Sequence, residues 1–402
     1  MRHRNWTRKK RHEFLKRISP APLSHGFGLV RLGGRVALDS IDHIDKERRE
    51  DVMIEAVLRS ARHVGSQLAA VVPRAGGGGG CGIHFDAGGL HFVRLTRVAG
   101  LARLRLTGCG SAVLEDDMLR GALIAKPEAV ARRLEELLER IGINAQDLRD
   151  DTIVLALPAH GLKTQIVDYP AGLPVRALRA WCERRAALLL PGDGDPDLRN
   201  RVGVTWADPG QHRLRLYACE AELVDDRVAV LEMSGLRVHA IDAAHEAGRR
   251  AFRWARPTDG EMSAPERTGA PMALLQVDAH DLDLSVFDSD TCVADVRERF
   301  DGIGAHPDAL ASVVRELVSK LPVGPGVLYV AAQGASPGGL VVICDALSAA
   351  CGIPVRPFDP MRRFETPGQA GPRRQTFAQR TSLAVPCGLA LRAMSMQGVA
   401  CA

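Results

Sequence analysis

Residues 85–92 read FDAGGLHF, and residues 277–284 read VDAHDLDL. Both stretches follow the order apolar, Asp, Ala, two turn residues, Leu, any residue, apolar. Alternating apolar and polar side chains around a short turn are typical of a β-hairpin. Each stretch follows a segment rich in glycine or proline, so each begins a new unit. The repeat therefore predicts a duplicated domain in which one β-turn from each half faces a shared cleft.

The segments after both hairpins alternate between helix and strand patterns. A helix over 127–141 is predicted by a proline at its first position and by one apolar stripe, Val130, Leu134, Leu138 and Ile141. A short apolar strand follows at 152–157. The second half shows a helix pattern near 307–320, a strand at 326–331 and a helix at 339–350. Strands that alternate with helices on both sides of a linker predict an α/β protein of two lobes.

Composition changes divide the chain into four parts. Residues 1–80 form a basic and largely disordered extension that ends in five consecutive glycines. Residues 81–255 form the first lobe, which contains an inserted subdomain. Residues 256–271 hold proline and glycine without periodicity and form a linker, and residues 272–402 form the second lobe. A misplaced start codon would also explain the first 75 residues.

The positive charge of the chain is concentrated at its start. The net charge is +5, but residues 1–17 carry eight basic side chains and one acidic one, so the rest of the chain has a charge of −2. A nearly neutral body gives no general surface for nucleic acid. The basic segment itself is either solvated or in contact with anionic lipid or nucleic acid.

Cysteine usage and hydropathy indicate a protein of the cytoplasm. The nine cysteines form no CxxC pair and no cluster with histidine at zinc spacing, so we expect free thiols packed as small apolar residues. No apolar run reaches the ~18 residues that a membrane span needs. The basic start also lacks the apolar stretch of a signal peptide.

Several kinds of catalytic or metal site find no support. The sequence has no GxSxG, HExxH or GxxxxGK[ST] motif, which argues against hydrolase, metalloprotease and P-loop readings. His84 and His91 flank the turn at Asp86 and could converge, but no fourth ligand is evident, so no metal site is predicted.

Six stretches of the sequence carry a resemblance that covers about residues 81–395. They lie in this order: Gly82–Leu95, Leu114–Val130, Val154–Leu173, Gly235–Ala247, 327–358 and Cys387–Arg392. In these stretches the chain resembles the PilM-type pilus-assembly proteins of the actin and sugar-kinase superfamily. The resemblance implies two actin-like (ribonuclease H-like) lobes around a central cleft.

The resemblance also implies a role and partners. Members of the family are cytoplasmic scaffolds that lie at the inner face of the inner membrane. Their partner is a PilN-type bitopic protein, whose short N-terminal cytoplasmic peptide lies in a groove of the scaffold, and other pilus-assembly platform proteins are further partners. Capture of an extended peptide needs no catalytic residue. No specific nucleic-acid partner is implied, and the residues of the groove are not placed by the sequence.

The family's cleft binds ATP with Mg²⁺, and this chain departs from the motifs that do so. Family hairpins read Asp-x-Gly; aligned without gaps, the Asp positions fall on His84 and Gln276. A shortening by two residues restores Asp86-Ala87-Gly88, whereas the second hairpin still lacks its glycine. The resemblance thus implies a degenerate nucleotide cleft formed by Asp86, Gly88, Gly89, Asp278, Gly334, Gly338 and Gly339.

Three functions therefore remain open at this point. The leading hypothesis is an interaction protein of type IV pilus biogenesis without enzymatic activity. The second is a nucleotide-dependent ATPase or kinase of the same fold, because fold alone does not decide activity. The third is a lipid or nucleic-acid binder that works through residues 1–17.

Overall fold

A computed structural model describes residues 78–98, 103–170, 175–190, 201–208, 213–257, 269–300, 306–333, 336–365 and 377–398. Residues 1–77 of the predicted basic extension and most of the predicted linker lie outside these residues.

The elements of the first half, in chain order, are β1 (Gly80–Asp86), β2 (Gly89–Arg97), β3 (Leu104–Ala112), β4 (Leu119–Arg120), β5 (Leu123–Ile124), α1 (Pro127–Arg140), β6 (Thr152–Leu157), β7 (Lys163–Asp168), α2 (Val175–Ala187), β8 (Arg201–Asp208), β9 (Arg213–Glu220), α3 (Ala221–Met233), β10 (Ala240–Ala243) and α4 (Ala244–Ala255).

The elements of the second half are β11 (Met272–Val277), β12 (Asp281–Asp288), β13 (Thr291–Arg299), α5 (Pro307–Ser319), β14 (Val327–Ala332), α6 (Pro337–Cys351), β15 (Val355–Pro357), α7 (Phe377–Thr381) and α8 (Ala384–Met396).

Two five-stranded sheets share one topology. The first has the order β3-β2-β1-β6-β10, and the second has the order β13-β12-β11-β14-β15. In each sheet the first three strands form an antiparallel meander, and the last two run parallel to the central strand. The predicted duplication is therefore confirmed at the level of strand order and direction.

The strands of the two hairpins also pair in the same register, as the sequence repeat predicts. Phe85 pairs with Leu90 in the first hairpin, and Val277 pairs with Leu282 in the second. The aspartates that follow Phe85 and Val277 thus occupy the same position at the end of a central strand. The predicted α/β fold of two lobes is confirmed.

The central strands are buried because helices cover both faces of each sheet. All seven residues of β1 are buried, as are five of the six residues of β6. Strands covered on both sides read as nearly continuous apolar runs, which is why the sequence shows no alternation at 152–157. Helix α1 contributes a buried stripe that contains Val130, Leu134 and Leu138.

A small three-stranded sheet of order β7-β9-β8 is inserted into the first lobe, together with α2. Residues Val167, Cys182, Leu214 and Leu216 form its own small core. The insert stands between β6 and α3 in the chain, where the sequence predicts a subdomain within 81–255.

Helices α4 and α8 cross each other next to the first sheet. A Cβ atom on Gly388 of α8 would lie 1.7 Å from the carbonyl oxygen of Ala247 on α4, so the two backbones meet where only glycine fits. Helix α8 also packs on β1, where a Cβ on Gly82 would lie 2.0 Å from the carbonyl oxygen of Pro386. The predicted division assigns residues 272–402 to the second lobe and stays a prediction, but α8 itself lies against the first sheet.

Candidate functional site

The turns of both hairpins and the turn after β6 meet between the lobes. His160 follows β6, and its Nδ1 atom lies 3.4 Å from Oδ2 of Asp281 at the start of β12. The rings of His160 and His280 are in edge contact, with centroids 4.9 Å apart. Asp278 is close enough to Asp86 for the two charges to interact. The structure therefore brings residues from both lobes to one cleft.

Asp86 is held between two histidines at the first turn. Its carboxylate lies 3.1 Å from His84 Nε2 and 3.5 Å from His91 Nε2, and neither His84 nor Asp86 has an exposed side chain. The Nδ1 atom of His91 lies 2.8 Å from Ser111 Oγ on β3, which orients the ring. Oδ1 of Asp86 also accepts a hydrogen bond of 2.7 Å from the backbone N–H of Gly88.

The histidines keep Asp86 ionised in spite of its burial. Burial alone would raise the pKa of Asp86, but the charge of His91 and the contact with His84 hold that pKa well below its usual range. The first turn therefore contains an anion of the protein itself, the Asp86 carboxylate between the two imidazole rings.

The second turn has the same aspartate in a different setting. The backbone N–H of Asp278 donates to the carbonyl oxygen of Asp281, at 2.9 Å, and closes a four-residue turn. The side chain of Asp278 accepts from the backbone N–H of Ala279 at 2.5 Å. Burial, with the charge of Asp86 adding to it, raises the pKa of Asp278 to about 6.

This geometry does not fit a magnesium nucleotide. Phosphate turns work because unpaired backbone N–H groups point at the phosphate oxygens. Here the N–H groups of Gly88 and Ala279 are already bound to the carboxylates of Asp86 and Asp278.

Two of the remaining predicted nucleotide residues, Gly338 and Gly339, lie in the first turn of α6. Ser336 caps this helix and accepts a hydrogen bond of 3.1 Å from the backbone N–H of Gly339. Gly338 has open space around it, and Gly334 lies outside the described residues. Gly89 begins β2 with a φ of 135°, a conformation that favours glycine. The degenerate nucleotide cleft stays a prediction.

Sequence reasoning missed three residues of the cleft, His160, His280 and Asp281. His160 follows the parallel strand next to β1, and the carboxyl end of that strand meets the hairpin turn at one edge of the sheet. His280 and Asp281 occupy the two positions that are glycines in the first hairpin. The repeat therefore carries the signal, because the loss of glycine in the second hairpin is also the gain of two polar side chains.

A second buried polar cluster, which we call the charge network, joins the insert, α4 and the second sheet. Its centre is Arg249 on α4, whose guanidinium lies 3.1 Å from Glu246 and 3.0 Å from Asp283 on β12. Arg215 on β9 of the insert makes two hydrogen bonds, of 2.6 and 2.7 Å, to Asp295 on β13.

Both arginines contact Asp295, which therefore connects two parts of the network. Arg249 donates to it at 3.1 Å. Burial would raise the pKa of Asp295, but the hydrogen bonds from Arg215 and the charge of Arg249 lower it to about 2. The network thus ties the insert of the first lobe to the sheet of the second by charge-assisted hydrogen bonds.

Comparison with solved structures supports the fold described above. The structure of the PilM-PilN type IV pilus biogenesis complex matches with a TM-score of 0.61 at 17% identity, covering 78% of this chain and 98% of that chain. A protein with actin-like ATPase fold and unknown function from Bacteroides thetaiotaomicron has a TM-score of 0.43 at 6% identity, covering 73% of this chain and 95% of that one. The ethanolamine utilization protein EutJ from Carboxydothermus hydrogenoformans has a TM-score of 0.39 at 12% identity, covering 78% and 89%. The last two scores are too low to support an argument.

The two duplicated lobes and their cleft define a protein with the actin-like ATPase fold. A family model described as type IV pilus assembly protein PilM matches residues 82–305, more than half of the chain. The chain belongs to this family of type IV pilus assembly proteins. No curated protein matches it in a search by sequence.

Proposed function

We propose that this protein is a non-enzymatic scaffold of type IV pilus assembly. In this proposal it binds the short N-terminal cytoplasmic peptide of a PilN-type protein at the inner face of the inner membrane. Family membership over residues 82–305 supports the role in pilus assembly. The PilM of the PilM-PilN complex, which has the same fold, supports a partner of this kind. Among the described residues, no helix combines the length and the apolar character needed to cross a bilayer.

The closed hairpin turns are the observation that favours a scaffold over a kinase or ATPase. The N–H groups of Gly88 and Ala279 are bound to carboxylates of the protein itself. Binding of a peptide partner does not require free N–H groups in these turns, because an extended peptide is held by main-chain hydrogen bonds and side-chain pockets. The cleft then serves as a structural joint between the lobes.

Direct binding of the partner peptide tests the proposal. A fluorescent peptide with the N-terminal cytoplasmic sequence of the PilN-type protein encoded near this chain should bind with saturable anisotropy. A scrambled peptide of equal composition and charge is the control, because it retains any non-specific attraction to the basic residues 1–17. The affinity should be the same with and without Mg-ATP. Absence of saturable binding to any such peptide would contradict the proposal.

A thermal-shift experiment separates the scaffold from the nucleotide-dependent alternative. A ligand at 100 times its dissociation constant stabilises a protein by about 2.7 kcal/mol, or about 5–10 °C in melting temperature for a domain of this size. We expect no shift in millimolar Mg-ATP. A clear shift that Asp86→Ala abolishes would instead establish the nucleotide site. It would contradict the inference that the protein's own carboxylates occupy the N–H groups of the turns.

A further inference from the structure

The cleft holds a cluster of donors that differs from any nucleotide site. His160 of the first lobe and Asp278 and Asp281 of the second each offer one ligand atom, and these three atoms all lie within 4.8 Å of one another. The turn after β6 positions the histidine, and the two ends of the β11–β12 turn position the aspartates. The cluster therefore exists only because the two lobes meet here.

Buried atoms of this cluster lack hydrogen-bond partners. Oδ2 of Asp281 accepts no hydrogen bond from any described residue, although the side chain is only 8% exposed. Both ring nitrogens of His160 are likewise buried and form no hydrogen bond in the described part of the chain. A buried polar atom without a partner is costly, so a missing ligand is the natural explanation when several such atoms converge.

The charges of the cluster point to a cation. Within the described residues, the only ion pair of Asp281 is the one with His160, and Asp278 has no arginine or lysine partner. Buried carboxylates are normally paired with a cationic side chain or coordinate a metal. Among the described residues, His160 is the only partner of Asp281 in an ion pair and no arginine or lysine pairs with either aspartate, so a metal ion bound by all three side chains would supply the missing positive charge.

We propose that His160, Asp278 and Asp281 bind one divalent transition-metal ion, of which zinc is the representative, and that this ion links the two lobes. A histidine nitrogen among carboxylate oxygens suits zinc and its neighbours in the first transition series, whereas Mg²⁺ and Ca²⁺ prefer oxygen ligands alone. Water fills the remaining coordination positions. The ion lies at the hairpin turns, where a magnesium nucleotide does not fit.

Metal binding to the full chain tests this proposal. The protein is freed of metal with EDTA, dialysed and titrated with zinc chloride, and bound zinc is measured by equilibrium dialysis. We expect one zinc ion per chain and, at 100 times the dissociation constant, a rise in melting temperature of about 5–10 °C. Magnesium at the same concentration should cause no such rise.

Two variants and one matched control assign the ligands. His160→Gln and Asp281→Asn should each weaken zinc binding at least tenfold, because each removes one of three ligands. His306→Gln is the control: His306 also pairs with an aspartate, Asp308, but both side chains are more than 80% exposed. It should bind zinc as the unchanged chain does.

Asp281→Asn keeps the experiment informative if His160→Gln fails to fold. The amide has the volume of the carboxylate and removes a buried negative charge, so the metal-free variant should melt no lower than the metal-free unchanged chain. Cobalt in place of zinc should give a d–d absorption band without a thiolate charge-transfer band, which excludes the cysteines as ligands. Zinc binding that survives both substitutions, or binding carried by thiolates, would overturn the proposal.

Discussion

Asp86 and Asp278 occupy the same position in the two repeats, yet their surroundings differ. Asp86 lies between His84 and His91, whose rings have centroids 6.4 Å apart, and the pKa of its carboxyl group is lowered. Among the described residues Asp278 forms no ion pair of this kind, and burial together with the charge of Asp86 raises its pKa to about 6. A carboxylate with a raised folded-state pKa destabilises the fold whenever it is ionised.

Asp278 should therefore make the stability of the metal-free protein depend on pH. In the unfolded chain the pKa of this carboxyl group is about 3.9. The stability that its protonated form gives to the folded protein is therefore fully present below about pH 4 and is lost as the pH rises through about 6. Asp278→Asn, measured in EDTA by urea unfolding, should be about 1–3 kcal/mol more stable than the unchanged chain at pH 8. The two proteins should have equal stability near pH 4.

Asp308→Asn is the matched control for this prediction. Asp308 is 83% exposed and also lies beside a histidine, His306. Its substitution should leave the pH profile of stability unchanged. If Asp278→Asn shows the same profile as the unchanged chain, the raised pKa of Asp278 is contradicted.

The sequence predicts the aspartates of the cleft but not their partners. Asp86 and Asp278 stand at equal places in a repeat, so the repeat alone predicts that both face the cleft. His160 lies more than 70 residues from Asp86, and the pairing of β6 with β1 is what brings it close. Such non-local contacts are not visible in local periodicity.

Helices α1 and α8 show why some elements are easier to predict than others. Helix α1 has one apolar stripe, and the predicted range 127–141 is confirmed at Pro127–Arg140. In α8 the residues from Ala384 to Met394 are all buried, so no stripe shows which side faces the sheet. When a helix is buried on all sides, its sequence predicts that the helix exists but not which elements it packs against.

The crossing of α4 and α8 should tolerate no side chain at Gly388. A Cβ there would lie 1.7 Å from the backbone oxygen of Ala247, and backbone atoms cannot move aside without shifting a helix. We expect Gly388→Ala to lower the free energy of unfolding by about 1–3 kcal/mol, as overpacking does. Differential scanning calorimetry measures the corresponding fall in melting temperature.

Gly338→Ala makes the same chemical change where no neighbour lies within 4 Å. Because alanine favours a helix more than glycine does, this control should be neutral or more stable by up to about 1 kcal/mol. An equal loss of stability in both variants would show that the close approach at Gly388 is not the cause.

At the scale of the whole molecule, the charge network connects parts that are far apart in the chain. Arg215 belongs to the insert and Asp295 to the second lobe, and they are joined by two short hydrogen bonds. Arg249 reaches the same carboxylate from α4. The insert is thus bound to the opposite lobe, which restricts any hinge between the lobes.

A double-mutant cycle measures this connection. Arg215→Ala, Asp295→Ala and the double variant should give a coupling energy of about 1–3 kcal/mol by chemical unfolding, as expected for a close and largely buried charge pair. The exposed pair Arg133–Glu136 on α1 is the control and should show no resolvable coupling. Additive effects of Arg215→Ala and Asp295→Ala would show that the insert is held by other contacts.

The return of α8 to the first sheet bears on how the protein is made. Strand β10, the last strand of that sheet, ends at Ala243, whereas the helix that covers it ends at Met396. At about 5–20 residues per second, a ribosome needs roughly 8–30 s to add the intervening chain. During that interval the nascent first lobe has an uncovered apolar face, so this is the stage of synthesis at which a chaperone would protect it.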